Sequence, residues 1–79
     1  MTTKETVLDI LESITGSDEV KEVLDMDLYD EGILDSLGTV QLLVELENQL
    51  DVTVPVSEFD RSDWGTPQQI IDQVVSLQG

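Results

Sequence analysis

The chain has 79 residues with 18 acidic and 3 basic side chains, a formal net charge of −15, and neither cysteine nor histidine. That length allows one small domain, residues 1–79, and the missing residue types exclude disulfides, zinc–thiolate sites and histidine-based catalysis. So large a carboxylate surplus argues against nucleic acid and anionic lipid as ligands and favours basic protein partners.

Such a charge also raises disorder as an alternative. The hydrophobic fraction of 39% and its helical spacing favour a folded domain instead. Thr2 with Glu5 fits a capping box, and Val7, Leu8, Leu11 and Ile14 recur at helical spacing with Ile10 beside them. Gly16 is the stop, so the first helix is predicted over Thr3 to Thr15. Residues Ser17 to Asp35 form a long acidic connection that also holds Val20, Val23, Leu24, Met26, Leu28, Tyr29, Ile33 and Leu34. That apolar content predicts a packed loop, with one helical turn around Val20 to Leu24.

Asp35 is a good N-cap, and a second helix is predicted from Ser36 to about Leu50. A turn follows at Asp51 to Pro55, where Val52-Thr53-Val54 is too short to stand as a strand. A brief helix is predicted over Ser57 to Arg61 with Ser57 as its cap. Thr66-Pro67-Gln68-Gln69 is a strong helix start, with Thr as N-cap, Pro at the first helical position and Gln at the third. Ile70, Ile71, Val74, Val75 and Leu77 supply the apolar face of that last helix.

The second helix has two apolar stripes. At ~100° per residue, Leu42, Leu43, Leu46 and Leu50 fall on one side, and Leu37, Val40 and Val44 on nearly the opposite side. Joining a core requires one stripe. Two readings follow: the helix is buried on both sides, or the second stripe is a docking surface with Ser36 at its end.

Ser36 is not a nucleophilic catalyst on this pattern. It has no histidine base, no Ser-x-x-Lys spacing, and Leu34 where Gly-x-Ser-x-Gly needs glycine. It is instead suited to modification by another enzyme, since a phosphodiester there would meet free N–H groups and the positive end of the helix dipole. An EF-hand begun at Asp25 places Asp27 correctly, then fails at Tyr29, Asp30 and Ser36. The acidic loop therefore offers weak, nonspecific divalent binding, and no metal site is assigned. Tyr29, Phe59 and Trp64 are read as packing anchors, and Arg61 as a partner of Glu58 or Asp63.

Asp35-Ser36-Leu37, following Asp30-Glu31-Gly32-Ile33-Leu34 and opening Gly38-Thr39-Val40-Gln41-Leu42, resembles the attachment motif of acyl and peptidyl carrier proteins. The resemblance covers nearly the whole chain. It implies an all-α, acyl-carrier-protein-like bundle of three main helices plus one short helix, with a long loop between the first two. Val54-Pro55-Val56-Ser57-Glu58-Phe59-Asp60-Arg61, with Trp64 and Thr66-Pro67 after it, is similar to the D-alanyl branch of that family in Gram-positive bacteria. Fatty-acid carriers commonly have acidic residues where this chain has Gly38 and Gln41.

The resemblance implies a non-catalytic carrier with 4′-phosphopantetheine on Ser36 and Asp35 as the cap beside it. A phosphopantetheinyl transferase would install the arm, and a D-alanine ligase would load it as a thioester. A membrane-bound O-acyltransferase would receive the load for D-alanylation of lipoteichoic acid. Leu37, Val40 and Val44 are the expected partner contacts. A cytoplasmic monomer acting at the inner face of the membrane is expected. Alternatives are a fatty-acid or peptidyl carrier and, in another class, an unmodified acidic helical adaptor.

Overall fold

Helix α1 spans Thr3–Thr15 and begins where the Thr2 hydroxyl oxygen accepts from the Glu5 N–H at 3.2 Å. It ends at Gly16, whose φ of 71° turns the chain left-handed while its N–H reaches the Glu12 carbonyl at 2.8 Å. A computed structural model describes residues 2–78, apart from the side chains of Val56 and Arg61. The expected pairing of Arg61 with Glu58 or Asp63 therefore lies outside the described residues. Val7, Leu8, Ile10 and Leu11 bury one face of α1, and this helix packs against three others.

The first of these is α2, a single turn over Glu19–Glu22. The predicted turn around Val20 to Leu24 thus stands a little earlier, because the Val23 N–H closes back on the Glu19 carbonyl and ends it. Val20 is fully buried beneath it. Above, Lys21 Nζ meets Asp9 Oδ1 at 2.7 Å and Glu12 Oε1 at 3.3 Å, fastening α2 to α1. Those hydrogen bonds to Asp9 and then Glu12 raise the lysine pKa above its ordinary value.

The long connection is packed, as its apolar content requires. Leu28 and Leu34 are buried, with Leu24, Met26, Tyr29 and Ile33 against the same core. Its backbone is tied across the molecule: the Leu28 N–H donates to the Gly65 carbonyl at 2.8 Å, and the Gln68 N–H to the Leu24 carbonyl at 3.0 Å. Asp27 Oδ1 accepts from the N–H groups of Tyr29 and Asp30, which bends the loop locally.

Helix α3 covers Ser36–Leu50 and buries Leu42, Leu43 and Leu46 against α1. It stops at Asp51, a non-glycine residue with φ of 56°, whose N–H bonds the Glu47 and Leu46 carbonyls. The next segment departs from the predicted helix over Ser57 to Arg61. A 3₁₀ turn occupies Val56–Glu58, and a separate helix, α4, runs over Arg61–Trp64. Asp60 divides them. Its backbone is extended, and its Oδ1 accepts from both the Ser62 N–H and the Ser62 hydroxyl, so Asp60 rather than Ser57 caps a helix. The Ser62 hydroxyl, then the Ser62 N–H, holds the Asp60 pKa below its usual value.

Trp64 is buried, with the Phe59 ring 5.2 Å away by centroid, so both act as anchors of this segment. Helix α5, Pro67–Gln78, starts with a reciprocal cap. Thr66 Oγ1 accepts from the Gln69 N–H, and Gln69 Oε1 accepts from the N–H groups of Thr66 and Gly65. Ile70, Ile71 and Val74 are buried. Val75 and Leu77, expected on the apolar face, are exposed instead. The last turn of α5 meets the first turn of α1 through a polar contact, the Thr3 hydroxyl donating to Gln78 Oε1 at 2.8 Å. The described residues are all-helical: three long helices, two short ones and a 3₁₀ turn, with no strand among them.

Candidate functional site

The N-terminus of α3 is built by its flanking residues. Asp35 is extended, and its Oδ1 accepts from the Gly38 N–H at 2.8 Å. The N–H and hydroxyl of Thr39 both donate to the Asp35 carbonyl, at 2.9 Å each. The same Thr39 hydroxyl pairs with the Tyr29 hydroxyl, so the acidic loop is bonded onto the first turn of α3. Gly38 is buried where α3, Leu34 and α1 converge. A Cβ there would stand 2.8 Å from Leu34 Cδ1 and 3.4 Å from Ile14 Cγ2. Glycine at this position leaves room for the Leu34 side chain against the first turn of α3, while Ile14 of α1 lies at ordinary contact distance.

Ser36 is the first residue of this helix and is exposed. Asp35 satisfies the Gly38 N–H, while the N–H groups of Ser36 and Leu37 have no carbonyl one turn earlier to bond. They point with the positive end of the helix dipole toward whatever is attached at Ser36. The residues present therefore fit a phosphodiester: an accessible hydroxyl, free donors, a favourable dipole, and a neighbouring carboxylate oriented by its own bond to Gly38.

Beyond Ser36 the helix surface is apolar. Leu37 is 68% exposed, Val40 51% and Val44 50%, which excludes the reading in which α3 is covered on both sides. Asp25, Asp27, Asp30, Glu31 and Asp35 precede this surface and are all exposed. Among the described residues, no group of three or more acidic side chains gathers as a metal-binding cluster.

The family pattern described as the phosphopantetheine attachment site matches residues 5–74. The chain belongs to the phosphopantetheine-attachment family. Members of this family are carriers rather than catalysts, and the group they hold, 4′-phosphopantetheine, is covalently attached. Relatives within the family share nearly the full length of this chain. The D-alanyl carrier protein of Enterococcus faecalis is 64% identical over 78 residues, 99% of this chain and all of that one. That of Listeria innocua is 57% identical over 77 residues, 98% of this chain and 99% of its own. D-alanyl carrier protein 2 of Lactiplantibacillus plantarum is 60% identical over 75 residues, 95% of this chain and 92% of its own.

Sequence reasoning singled out Ser36, Asp35, Leu37, Val40 and Val44, and the structure brings them to one end and one side of α3. It missed the Tyr29–Thr39 pair. A threonine four residues after an N-cap was the available signal for Thr39, since its hydroxyl can return to that residue's carbonyl. Nothing local pointed to Tyr29, ten residues from its partner. Gly38 was noted only for the acidic side chain it lacks, and its packing role was not read.

Proposed function

We propose that this chain carries D-alanine on a 4′-phosphopantetheine arm attached to Ser36 and delivers it for D-alanylation of lipoteichoic acid. The observation that carries this reading is the exposed Ser36 hydroxyl on the capped first turn of α3, in a chain 64% identical to a D-alanyl carrier protein over nearly its full length. When attached, the arm supplies a terminal thiol that holds the amino acid as a thioester. Ser36 Oγ is the acceptor, and a phosphopantetheinyl transferase brings the arm to it from coenzyme A. Asp35 holds the helix start in register for that enzyme by capping Gly38 and accepting from Thr39.

Leu37, Val40 and Val44 form the docking stripe for the transferase, a D-alanine ligase and a membrane-bound O-acyltransferase in turn. Apolar contact suits repeated exchange among partners, because no buried charge pair has to be broken at each release. The acidic loop steers basic enzyme surfaces toward the stripe. No described helix is long and apolar enough to cross a membrane. In this reading the chain works in the cytoplasm and meets its acyltransferase at the inner membrane face.

Intact mass after incubation with coenzyme A and a phosphopantetheinyl transferase tests the attachment. The expected result is one added phosphopantetheinyl group, absent in Ser36→Ala. An unmodified chain would return the adaptor reading. Adding a D-alanine ligase, ATP and either D- or L-alanine to the modified chain then tests the cargo, with D-alanine expected to load in preference.

A further inference from the structure

Two hydroxyl groups tie the first turn of α3 to the acidic connection. Thr39 Oγ1 donates to the Asp35 carbonyl at 2.9 Å, and the Tyr29 hydroxyl pairs with the same Thr39 oxygen. Thr39 has one hydroxyl proton, and a carbonyl oxygen accepts but never donates. That proton therefore goes to Asp35, and Tyr29 is the donor of the pair. The result is a relay with one direction: Tyr29 O–H to Thr39 Oγ1, then Thr39 O–H to the Asp35 carbonyl.

The relay ends on the peptide group that carries Ser36. The Asp35 carbonyl and the Ser36 N–H belong to one trans peptide, whose plane also holds the Ser36 Cα. Fixing the carbonyl oxygen fixes where Ser36 begins and turns its N–H the opposite way, toward the open end of the helix. The bond from the Thr39 N–H to this carbonyl is the ordinary helical one, and terminal turns held only by such bonds fray. Tyr29 is itself anchored away from α3. Its N–H donates to Asp27 Oδ1 at 3.1 Å, its carbonyl accepts from the Gly32 N–H at 3.1 Å, and its side chain packs against the core. Leu28, just before it, is buried and bonded to the Gly65 carbonyl. The relay thus couples Ser36 to the body of the domain.

We propose that Tyr29 and Thr39 are positioning residues for modification of Ser36, holding its hydroxyl on the line of transfer. This rests on the carrier reading above and deepens it. In the transfer, Ser36 Oγ forms a bond to the phosphorus that bears pantetheine, and the pyrophosphate bond of coenzyme A breaks. Adenosine bisphosphate leaves with the bonding pair, and the serine proton passes to a base of the transferase. Such a displacement is sensitive to small misplacement of the attacking oxygen. Tyr29 and Thr39 act on it through the Asp35 peptide. Docking is a separate contribution, because Leu37, Val40 and Val44 form the exposed stripe while Thr39 is half-buried. Loss of the relay is therefore expected in kcat rather than in KM.

Transferase kinetics with coenzyme A, read by intact mass, test this in Tyr29→Phe, Thr39→Val and Thr39→Ser. Each variant is assayed at a temperature where circular dichroism shows it as helical as the parent. In Tyr29→Phe and Thr39→Val, kcat should fall about 3- to 10-fold, the scale of one net hydrogen bond, with KM for the carrier within about twofold of the parent. Thr39→Ser keeps the hydroxyl and should keep the parent's kcat. The double variant Tyr29→Phe/Thr39→Val should be no slower than Thr39→Val by itself, since both changes break one relay. Unchanged kcat in Tyr29→Phe and Thr39→Val overturns the proposal. So does a rise in KM at constant kcat, which would make these residues docking contacts. An equal loss in Thr39→Ser and Thr39→Val also overturns it, by assigning the effect to packing. A parent chain whose mass never increases overturns the carrier reading, and the relay's role with it.

Discussion

Helix α3 carries leucine and valine on two opposite sides, and the two sides behave differently. Leu42, Leu43 and Leu46 are buried against α1, while Leu37, Val40 and Val44 remain half or more exposed. The residue types are alike, so composition does not separate them. What separates them is when their burial contributes. The buried side contributes its transfer free energy on folding, at about 25 cal/mol per Å² of apolar surface. The exposed side makes no such contribution to the isolated chain, and in the docking reading proposed above its burial is left for association. A carrier that serves several enzymes needs such a reserve, because a surface already satisfied within the chain has little to offer a partner.

Three kinds of change probe that division. The largest effect is expected on the buried side: Leu46→Ala should cost about 2–5 kcal/mol. A core this small supplies roughly 3–5 kcal/mol of net stability, so this loss removes most of the margin. Urea unfolding followed by far-ultraviolet circular dichroism reads this, with Val44→Ala as the contrast, expected within about 0.5 kcal/mol of the parent. If Val44→Ala were as damaging as Leu46→Ala, the two sides would not differ as described.

A smaller effect belongs to the exposed side. Leu37→Asp and Val40→Asp should leave helix content unchanged while slowing transferase modification and D-alanine loading about 5- to 30-fold, the scale of losing 1–2 kcal/mol of docking contact. Unchanged loading rates would remove the docking role from this stripe. The smallest effect comes from a change that touches neither side. Asp51 sits in the left-handed region at φ 56°, and its carboxylate lies at the negative end of a helix whose last turn holds no basic residue. Asp51→Gly should therefore raise the urea midpoint, by about 0.5–1 kcal/mol of stability, without altering loading. A simultaneous change in loading would tie docking to global stability rather than to the exposed side chains.

The amino-acid sequence by itself determined the main helices and the attachment motif. Thr2, Gly16, Asp35 and Thr66 act on N–H and carbonyl groups within a few residues of themselves, so both ends of α1 and the starts of α3 and α5 were readable without a fold. The apolar content of the connection before Ser36 likewise required it to be packed. The two stripes of α3 were visible too, with the second read either as covered or as a docking surface, but not which of these two readings holds. Periodicity treats both sides alike, and the choice depends on α1, whose apolar face meets Leu42, Leu43 and Leu46.

The short elements near Asp60 were misread for a related reason. Ser57 and Asp60 both have capping chemistry, and the placement of Trp64 and Phe59 in the core accompanies the one that wins. Val75 and Leu77 match the helical pattern yet remain half exposed. The Tyr29–Thr39 bond and the close fit at Gly38 join residues from separate segments. Only the tertiary structure could decide these, because each is set by which surfaces meet, and the pattern along one segment holds no record of its neighbour.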